Sequence, residues 1–153
     1  PLKFAFPHLE ACRLDSLKKR VNFLEETFDL LKLTDITAVH GRAEEYAKNK
    51  AYRESFDLCV SRAVSNLATL SEYCLPYVKV GGSFISYKSG TVQEEAEQAE
   101  KAVKILGGKI RDVVYFSLPD SEIQRSLVVI EKVKSTSGKY PRKAGTPLKE
   151  PLV

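Results

Sequence analysis

The order in which strand-like and helix-like segments alternate is the feature that most constrains the fold of this chain. Three short apolar stretches read as strands: "EACRLD" (10–15), "DITAVHG" (35–41) and "SFDLCVSRAV" (55–64). The third is nearly all apolar in its middle, which predicts a strand buried on both faces near the centre of a sheet. Between the first two strands, apolar residues recur every three or four positions, which predicts an amphipathic helix that Ser16 can cap. The helix stripe comprises Leu17, Val21, Leu24, Phe28 and Leu31.

The second half of the chain continues this alternation and then breaks it. A helix (66–82) that ends near Pro76 precedes the strand "SFISYK" (83–88), and an acidic helix (92–108) follows. The last two strand-like segments, 109–119 and 125–133, have no helix between them, so we expect an antiparallel hairpin. We therefore predict an α/β fold with a mostly parallel, doubly wound sheet and a C-terminal antiparallel hairpin.

Composition narrows the class of protein. A length of 153 residues with 43% hydrophobic content fits one domain with a real core. No apolar run approaches the roughly 20 residues of a membrane span and no signal peptide opens the chain, so we expect a cytoplasmic protein. Cys12, Cys59 and Cys74 are widely spaced without a nearby His pair, which predicts buried thiols and no metal site. "PLKFAFPHLE" (1–10) reads as the end of a helix, so we expect that an amino-terminal part of the domain is missing.

The C-terminal stretch "KSTSGKYPRKAGTPLKEPLV" (134–153) differs from the segments before it. It holds five Lys or Arg residues and one acid, and its prolines prevent a regular strand or helix. We therefore predict two parts, residues 1–133 as the sheet domain and residues 134–153 as a basic tail. The tail is either a solvated end or a surface for an anionic partner.

Polar residues at the carboxyl ends of the predicted strands are the candidate site, because open α/β sheets bind ligands there. Asp15 ends the first strand and is either an acceptor for ribose hydroxyls or an acid that stabilises the start of a helix. "GRAE" (41–44) is either an adenine-contacting turn or an ordinary glycine turn. Arg62 ends the third strand and is either a ligand contact or the partner of an acid such as Asp57 or Glu44. Lys88 ends "SFISYK".

Taken together, these segments resemble a known family. "LDSLKKRVNFL" (14–24), "HGRAEEYA" (40–47), "FDLCVSRAVSNLATLSEYCLPYVKVGG" (56–82) and "KYPRKAGTPLKEPL" (139–152) are similar, in the same order, to the bacterial methyltransferase family that makes 7-methylguanosine in small-subunit ribosomal RNA. This family is also called the glucose-inhibited division protein B family. "SRAV" and "KYPRKAGTP" together are specific to it, whereas "AE" alone is not.

The resemblance implies a class I, Rossmann-like methyltransferase domain that uses S-adenosylmethionine and acts on 16S ribosomal RNA or the small ribosomal subunit. It implies that Asp15 faces the cofactor ribose, that Ala43 and Glu44 contact the adenine side, and that Arg62 lines the same site. The RNA-facing residues would be Lys88, Lys139, Tyr140, Arg142 and Lys143, with Tyr140 as a stacking face. No catalytic side chain is assigned, because guanine N7 carries a lone pair and no proton.

One part of the family pattern is not found in this sequence. The glycine-rich cofactor loop and the strand leading into it would precede Pro1, so we expect this chain by itself to bind S-adenosylmethionine weakly. Two other interpretations therefore stay open. One is a noncatalytic RNA-binding relative or an inactive fragment of the enzyme, and the other is a different nucleotide-binding α/β protein.

Overall fold

The computed structural model describes residues 1–62 and 65–152. Its helices are α1 (Leu2–Ala5), α2 (Lys18–Leu30), α3 (Ala43–Tyr46), α4 (Leu67–Cys74), α5 (Gln93–Ile105) and α6 (Thr146–Lys149). Its strands are β1 (Ala11–Asp15), β2 (Ile36–His40), β3 (Phe56–Arg62), β4 (Val78–Ser89), β5 (Gly108–Ser117) and β6 (Gln124–Lys132). The α/β alternation predicted from the sequence is confirmed.

The described strands form two sheets. β1 and β2 make a parallel pair, and the other four strands make a sheet in the order β3-β4-β6-β5. Within this sheet β3 and β4 are parallel, while β6 runs antiparallel to both β4 and β5. The C-terminal hairpin is therefore confirmed. It places β5 at one edge of the four-stranded sheet and β3 at the other.

β3 differs from its prediction. The sequence predicted a central strand buried on both faces, but β3 is an edge strand whose residues are at most half-buried, and Leu58 is 44% exposed. The physical reason is that β4 is its partner within the described residues, and no described strand pairs with its other edge. An apolar sequence makes β3 suitable for burial on both faces. Whether the strand is buried depends on the elements that pack beside it.

The helix predicted over 66–82 is also shorter than expected. α4 ends at Cys74, a 3₁₀ turn covers Leu75–Tyr77, and β4 already begins at Val78. Pro76 accounts for this change, because its ring removes a backbone donor and does not fit a continuing helix. At the start of α4, Asn66 accepts a hydrogen bond from the Thr69 amide at 2.9 Å, as an N-cap residue does.

Ser16 does not cap α2. Leu17 occupies the cap position, and the carboxylate of Asp15 accepts a hydrogen bond from the Leu17 amide at 2.9 Å instead. This bond closes a turn just before the helix, and within the described part of the chain no side chain caps α2 itself.

The core lies between α4, α5 and one face of the four-stranded sheet. Alternate residues of β4 and β6 on this face are buried, which is the period of two that a strand imposes. The largest apolar side chains there are fully buried, namely Phe84, Leu67, Leu70, Leu75, Leu106 and Ile130. Residues of the opposite face are half-buried. The covered face therefore fixes the position of the strand ends that form the candidate site.

Lys132 forms a buried polar centre at the end of β6. Its ammonium donates to Leu75 O at 2.6 Å, Val78 O at 3.1 Å and Thr136 Oγ1 at 2.8 Å, and it lies 3.1 Å from a carboxylate oxygen of Glu54. Burial lowers the pKa of Lys132, an effect that Glu54 opposes. Burial favours the neutral form of Glu54, but hydrogen bonds from Thr136 and Lys132 outweigh it and lower the pKa of Glu54. The pair joins the sheet to the start of the C-terminal segment (residues 134–152).

The three cysteines are free, as predicted, but only Cys74 is buried, while Cys12 and Cys59 are half-buried. A contact with Cys59, together with burial, raises the pKa of the Cys74 thiol.

Within residues 1–62 and 65–152, no group of three or more His, Cys, Asp or Glu side chains could bind a metal ion. In the same part of the chain, no helix combines the length and apolar character needed to cross a membrane.

Candidate functional site

The carboxyl ends of β1 and β2 bring Asp15 next to Gly41. The Gly41 amide donates to the Asp15 carbonyl at 3.0 Å, and the two strands are in register up to Asp15 and His40. The Asp15 side chain is 23% exposed, and Arg20 lies 3.5 Å from its Oδ2 atom. After the bond from Leu17, the carboxylate has lone pairs left that can accept hydrogen bonds from hydroxyl groups. Its position and its acceptor oxygens suit the ribose role that the sequence predicted.

The turn after β2 leads directly into α3 and requires a glycine at its start. A Cβ atom on Gly41 would collide with the ring of Tyr46, so a side chain there would displace the ring. The Ala43 carbonyl accepts a hydrogen bond from the Tyr77 hydroxyl at 2.7 Å. Burial raises the pKa of Tyr77, so the hydroxyl keeps the proton that it donates. The start of α3 is thereby tied to the buried 3₁₀ turn that follows α4.

The Glu44 side chain points into the protein. Its carboxylate accepts a hydrogen bond from the Gly145 amide at 2.9 Å, and the residue is 5% exposed. The sequence predicted that Ala43 and Glu44 contact the adenine side of a cofactor. In the structure, both residues begin α3, just after the turn at Gly41 that binds Asp15, but the Glu44 carboxylate is bound by the C-terminal segment.

Arg62 and Lys88 lie at the carboxyl edge of the four-stranded sheet. Arg62 is exposed and is in register with Tyr87, the residue before Lys88. The two acids that the sequence offered as alternative partners are engaged elsewhere, Asp57 with Lys79 and Glu44 with Gly145. The rest of the "SRAV" motif, Ala63 and Val64, lies outside the described residues.

The Lys88 ammonium is bound within the chain. It donates to the Ser65 carbonyl at 2.9 Å and to the Glu95 carboxylate at 2.7 Å, and Glu95 also accepts from the Leu67 amide at 2.6 Å. These bonds join Ser65 and the start of α4 to Lys88 and Glu95. The prediction that Lys88 faces RNA does not fit this geometry, because its donors are directed at Ser65 and Glu95.

Two of the four tail residues predicted to face RNA are held by the protein itself. Arg142 forms a bidentate pair with Glu72, with Nη2 at 2.7 Å from Oε2 and Nε at 3.0 Å from Oε1. This bond with Glu72 raises the pKa of Arg142. Tyr140 is 8% exposed and belongs to the core cluster, which corrects the prediction of a stacking face. Lys139 and Lys143 are exposed.

Sequence reasoning missed the residues that hold the C-terminal segment. Arg53 donates to the carbonyls of Thr136 at 2.7 Å and Tyr140 at 3.0 Å, but in the sequence it lies in an undistinguished polar turn. Glu72 gave a usable signal, because it is the one charged residue in the stretch 67–75. In the structure seven of the eight residues of α4 are buried, and a carboxylate in such a helix needs a cationic partner.

Comparison with a solved structure agrees with the fold. The structure of M. jannaschii TYW2 in complex with AdoMet is similar to this chain with a TM-score of 0.58. The similarity covers 80% of this chain and 57% of that chain, at 12% sequence identity. This likeness concerns the arrangement of helices and strands.

Sequence comparison reaches much closer relatives. The chain is 56% identical to a ribosomal RNA small subunit methyltransferase G of Lachnoclostridium phytofermentans and 50% identical to one of Clostridium novyi, in both cases over 153 residues. It spans 63% of the length of each of these relatives. The family model described as "GidB: rRNA small subunit methyltransferase G" matches residues 1–128. The chain belongs to the rRNA small subunit methyltransferase G family.

Proposed function

We propose that the protein containing this chain methylates N7 of a guanine in 16S ribosomal RNA and uses S-adenosylmethionine as the methyl donor. The observation that carries the proposal is the match of residues 1–128 to the family model, with about half of all residues identical to the named relatives. Asp15 and Arg62 end β1 and β3, and Ala43 begins the helix just after β2, and these positions support it. The substrate is RNA alone or the assembled small subunit.

Methylation of guanine N7 requires no acid or base from the protein side chains. Guanine N7 presents a lone pair at the base edge, so no proton has to be removed before it accepts a methyl group. The cofactor would supply that methyl group from its sulfonium. Residues of this chain would contribute by holding the two reactants in line, and orientation of this kind lowers a barrier by several kcal/mol. No side chain of the described residues is assigned as a general base.

A labelling experiment tests this function in the complete gene product, meaning the whole reading frame that encodes this chain. The protein is incubated with 16S ribosomal RNA or small subunits and S-adenosylmethionine that carries a labelled methyl group. Nucleosides from the digested RNA are then separated and identified by mass spectrometry. We expect label in 7-methylguanosine. Bound RNA without any labelled nucleoside would favour a noncatalytic RNA-binding protein, and label in a different nucleoside would contradict the N7 assignment.

Asp15 provides a direct test of the cofactor site. Replacing Asp15 with alanine in the complete gene product should weaken cofactor binding by about 1–3 kcal/mol, because hydrogen bonds to a charged acceptor are lost. Isothermal titration calorimetry measures this change. Asp15→Asn separates the two roles of the side chain, since asparagine can still accept from the Leu17 amide. Asp29→Ala, on an exposed position of α2, is the matched control. Unchanged affinity in Asp15→Ala would remove Asp15 from the cofactor site.

The exposed lysines of the C-terminal segment form the proposed RNA surface. Replacing Lys139 and Lys143 with alanine should weaken RNA binding and reduce the log-log salt slope by about 1.5, because each lost phosphate contact removes about 0.7–0.9. Cofactor affinity should be unchanged. Filter binding at several salt concentrations measures the slope. The control removes the same charge from the exposed side of α5, at Lys101 and Lys104. Equal slopes in both variants would place the RNA surface elsewhere.

A further inference from the structure

The C-terminal segment holds both ends of α3. Near the start of the helix, the Gly145 amide donates to the Glu44 carboxylate. At its end, one guanidinium nitrogen of Arg53 donates both to the Ala47 carbonyl at 3.1 Å and to the Tyr140 carbonyl at 3.0 Å. A helix of four residues has little stability of its own. Besides the bond from the Tyr77 hydroxyl to the Ala43 carbonyl, the position of α3 therefore depends on these bonds to residues about 90–100 positions later in the chain.

The segment in turn is anchored to the core. Arg142 pairs with Glu72, whose side chain is 1% exposed, and the Thr69 hydroxyl donates to the Pro147 carbonyl at 3.0 Å. Both anchors lie on α4, which packs on the four-stranded sheet. A continuous series of contacts thus runs from the core through residues 140–147 to α3, the short helix that follows the turn at Gly41.

We propose that the C-terminal segment positions α3 beside Asp15, and that Glu44 is a positioning residue whose carboxylate binds Gly145 and not the cofactor. The inference rests on the proposed function, because α3 matters for catalysis only if the adenine side of the cofactor lies against it. On this proposal the C-terminal segment supports the cofactor site through α3 and does not itself contact the cofactor. Loosening the segment should therefore weaken cofactor binding.

Glu44 allows a test of whether its acceptor oxygen or its charge is needed. Glutamine keeps an oxygen that can accept from the Gly145 amide but has no charge, whereas alanine removes the acceptor. In the complete gene product, Glu44→Ala should weaken cofactor binding about tenfold, the size of one lost hydrogen bond to a charged group. Glu44→Gln should stay within about twofold of the original affinity, as a rescue by the conservative variant. If Glu44→Gln weakens binding as much as Glu44→Ala, the charge itself is needed and the proposal is wrong.

Gly145 tests the same coupling from the other side. Its φ of 84° is strained for any other residue, although a Cβ there would meet open space. Gly81 shares these properties, with φ 89° and open space, but it lies near the amino end of β4. Gly145→Ala and Gly81→Ala should lower the melting temperature by similar amounts. Only Gly145→Ala should weaken cofactor binding, and equal affinities in the two variants would overturn the proposal.

A measurement that needs no cofactor tests this inference independently of the proposed function. In the 153-residue chain, amide hydrogen exchange of Tyr46 and Ala47, which donate to Arg42 and Ala43, reports the stability of α3. Gly145→Ala should increase these exchange rates, while Gly81→Ala should not. If the complete gene product binds no cofactor, the proposed function fails and the exchange comparison alone decides whether the segment holds α3. Unchanged exchange in Gly145→Ala would contradict the inference.

Discussion

Replacing Arg142 with alanine is expected to lower the free energy of unfolding by about 3 kcal/mol, because the Glu72 carboxylate would be left buried without its cationic partner. The Arg142 side chain is 25% exposed, whereas that of Glu72 is 1% exposed, so most of the loss arises at the glutamate. The amide of residue 142 also donates to Glu72 at 2.8 Å, and this bond survives the substitution. Urea unfolding of the 153-residue chain measures the change.

Lys143→Ala is the matched control, because Lys143 is a neighbouring cation with an exposed side chain. Its effect should stay within about 0.5 kcal/mol, as for most surface substitutions. A double variant, Glu72→Gln with Arg142→Ala, should be less destabilised than the sum of its two single variants, since both remove the same interaction. Strict additivity would mean that Arg142 and Glu72 do not stabilise one another. The C-terminal segment would then be held by its other contacts.

Lys132→Met is expected to lower the free energy of unfolding still more, by about 4 kcal/mol. The residue is fully buried, and its ammonium lies within 3.1 Å of four oxygen atoms. Methionine fills a similar volume but donates to none of them. The neighbouring Lys134 is exposed, and Lys134→Met should be nearly neutral. Thermal and urea unfolding of the three proteins compare the free energies. A loss below about 1 kcal/mol would mean that burial of the charge costs as much as its bonds contribute.

The ion pair of Lys132 and Glu54 predicts that the stability of the protein depends on pH. The pKa of Glu54 is lower in the folded protein than its ordinary value. Its contribution to stability is therefore fully present above the unfolded pKa, at about pH 4.3, and is lost as the pH falls through the lower folded pKa. In Lys132→Met the folded pKa of Glu54 should return toward the ordinary value. Stability should then fall less steeply below about pH 4 in the variant than in the original chain.

The elements of this fold follow from local patterns. The helices α2 and α5 and the hairpin of β5 and β6 depend on residues a few positions apart, and each appears close to where it was predicted. In the predicted stripe of α2, Val21 is buried, whereas Leu17 and Leu31 lie outside the helix and are exposed. The place of Asp15 at the end of β1 was also predicted, because the end of a strand can be read from the sequence and parallel strands end at one edge. The ends of elements were less certain. The predicted helix over 66–82 ran on into β4, since its apolar residues suit a strand as well.

Only the tertiary structure decided which partner each charged residue has. Glu44 and Gly145 are 101 residues apart, and Arg142 and Glu72 are 70 residues apart. Lys139, Arg142 and Lys143 look alike in the sequence as members of a basic tail, yet one of them is bound to a buried acid and the other two are exposed. The apolar run of β3 likewise did not show that the strand lies at an edge. Hydrophobic period is a property of neighbours in the chain, whereas ion pairing and edge position depend on which distant segments the folded chain brings together.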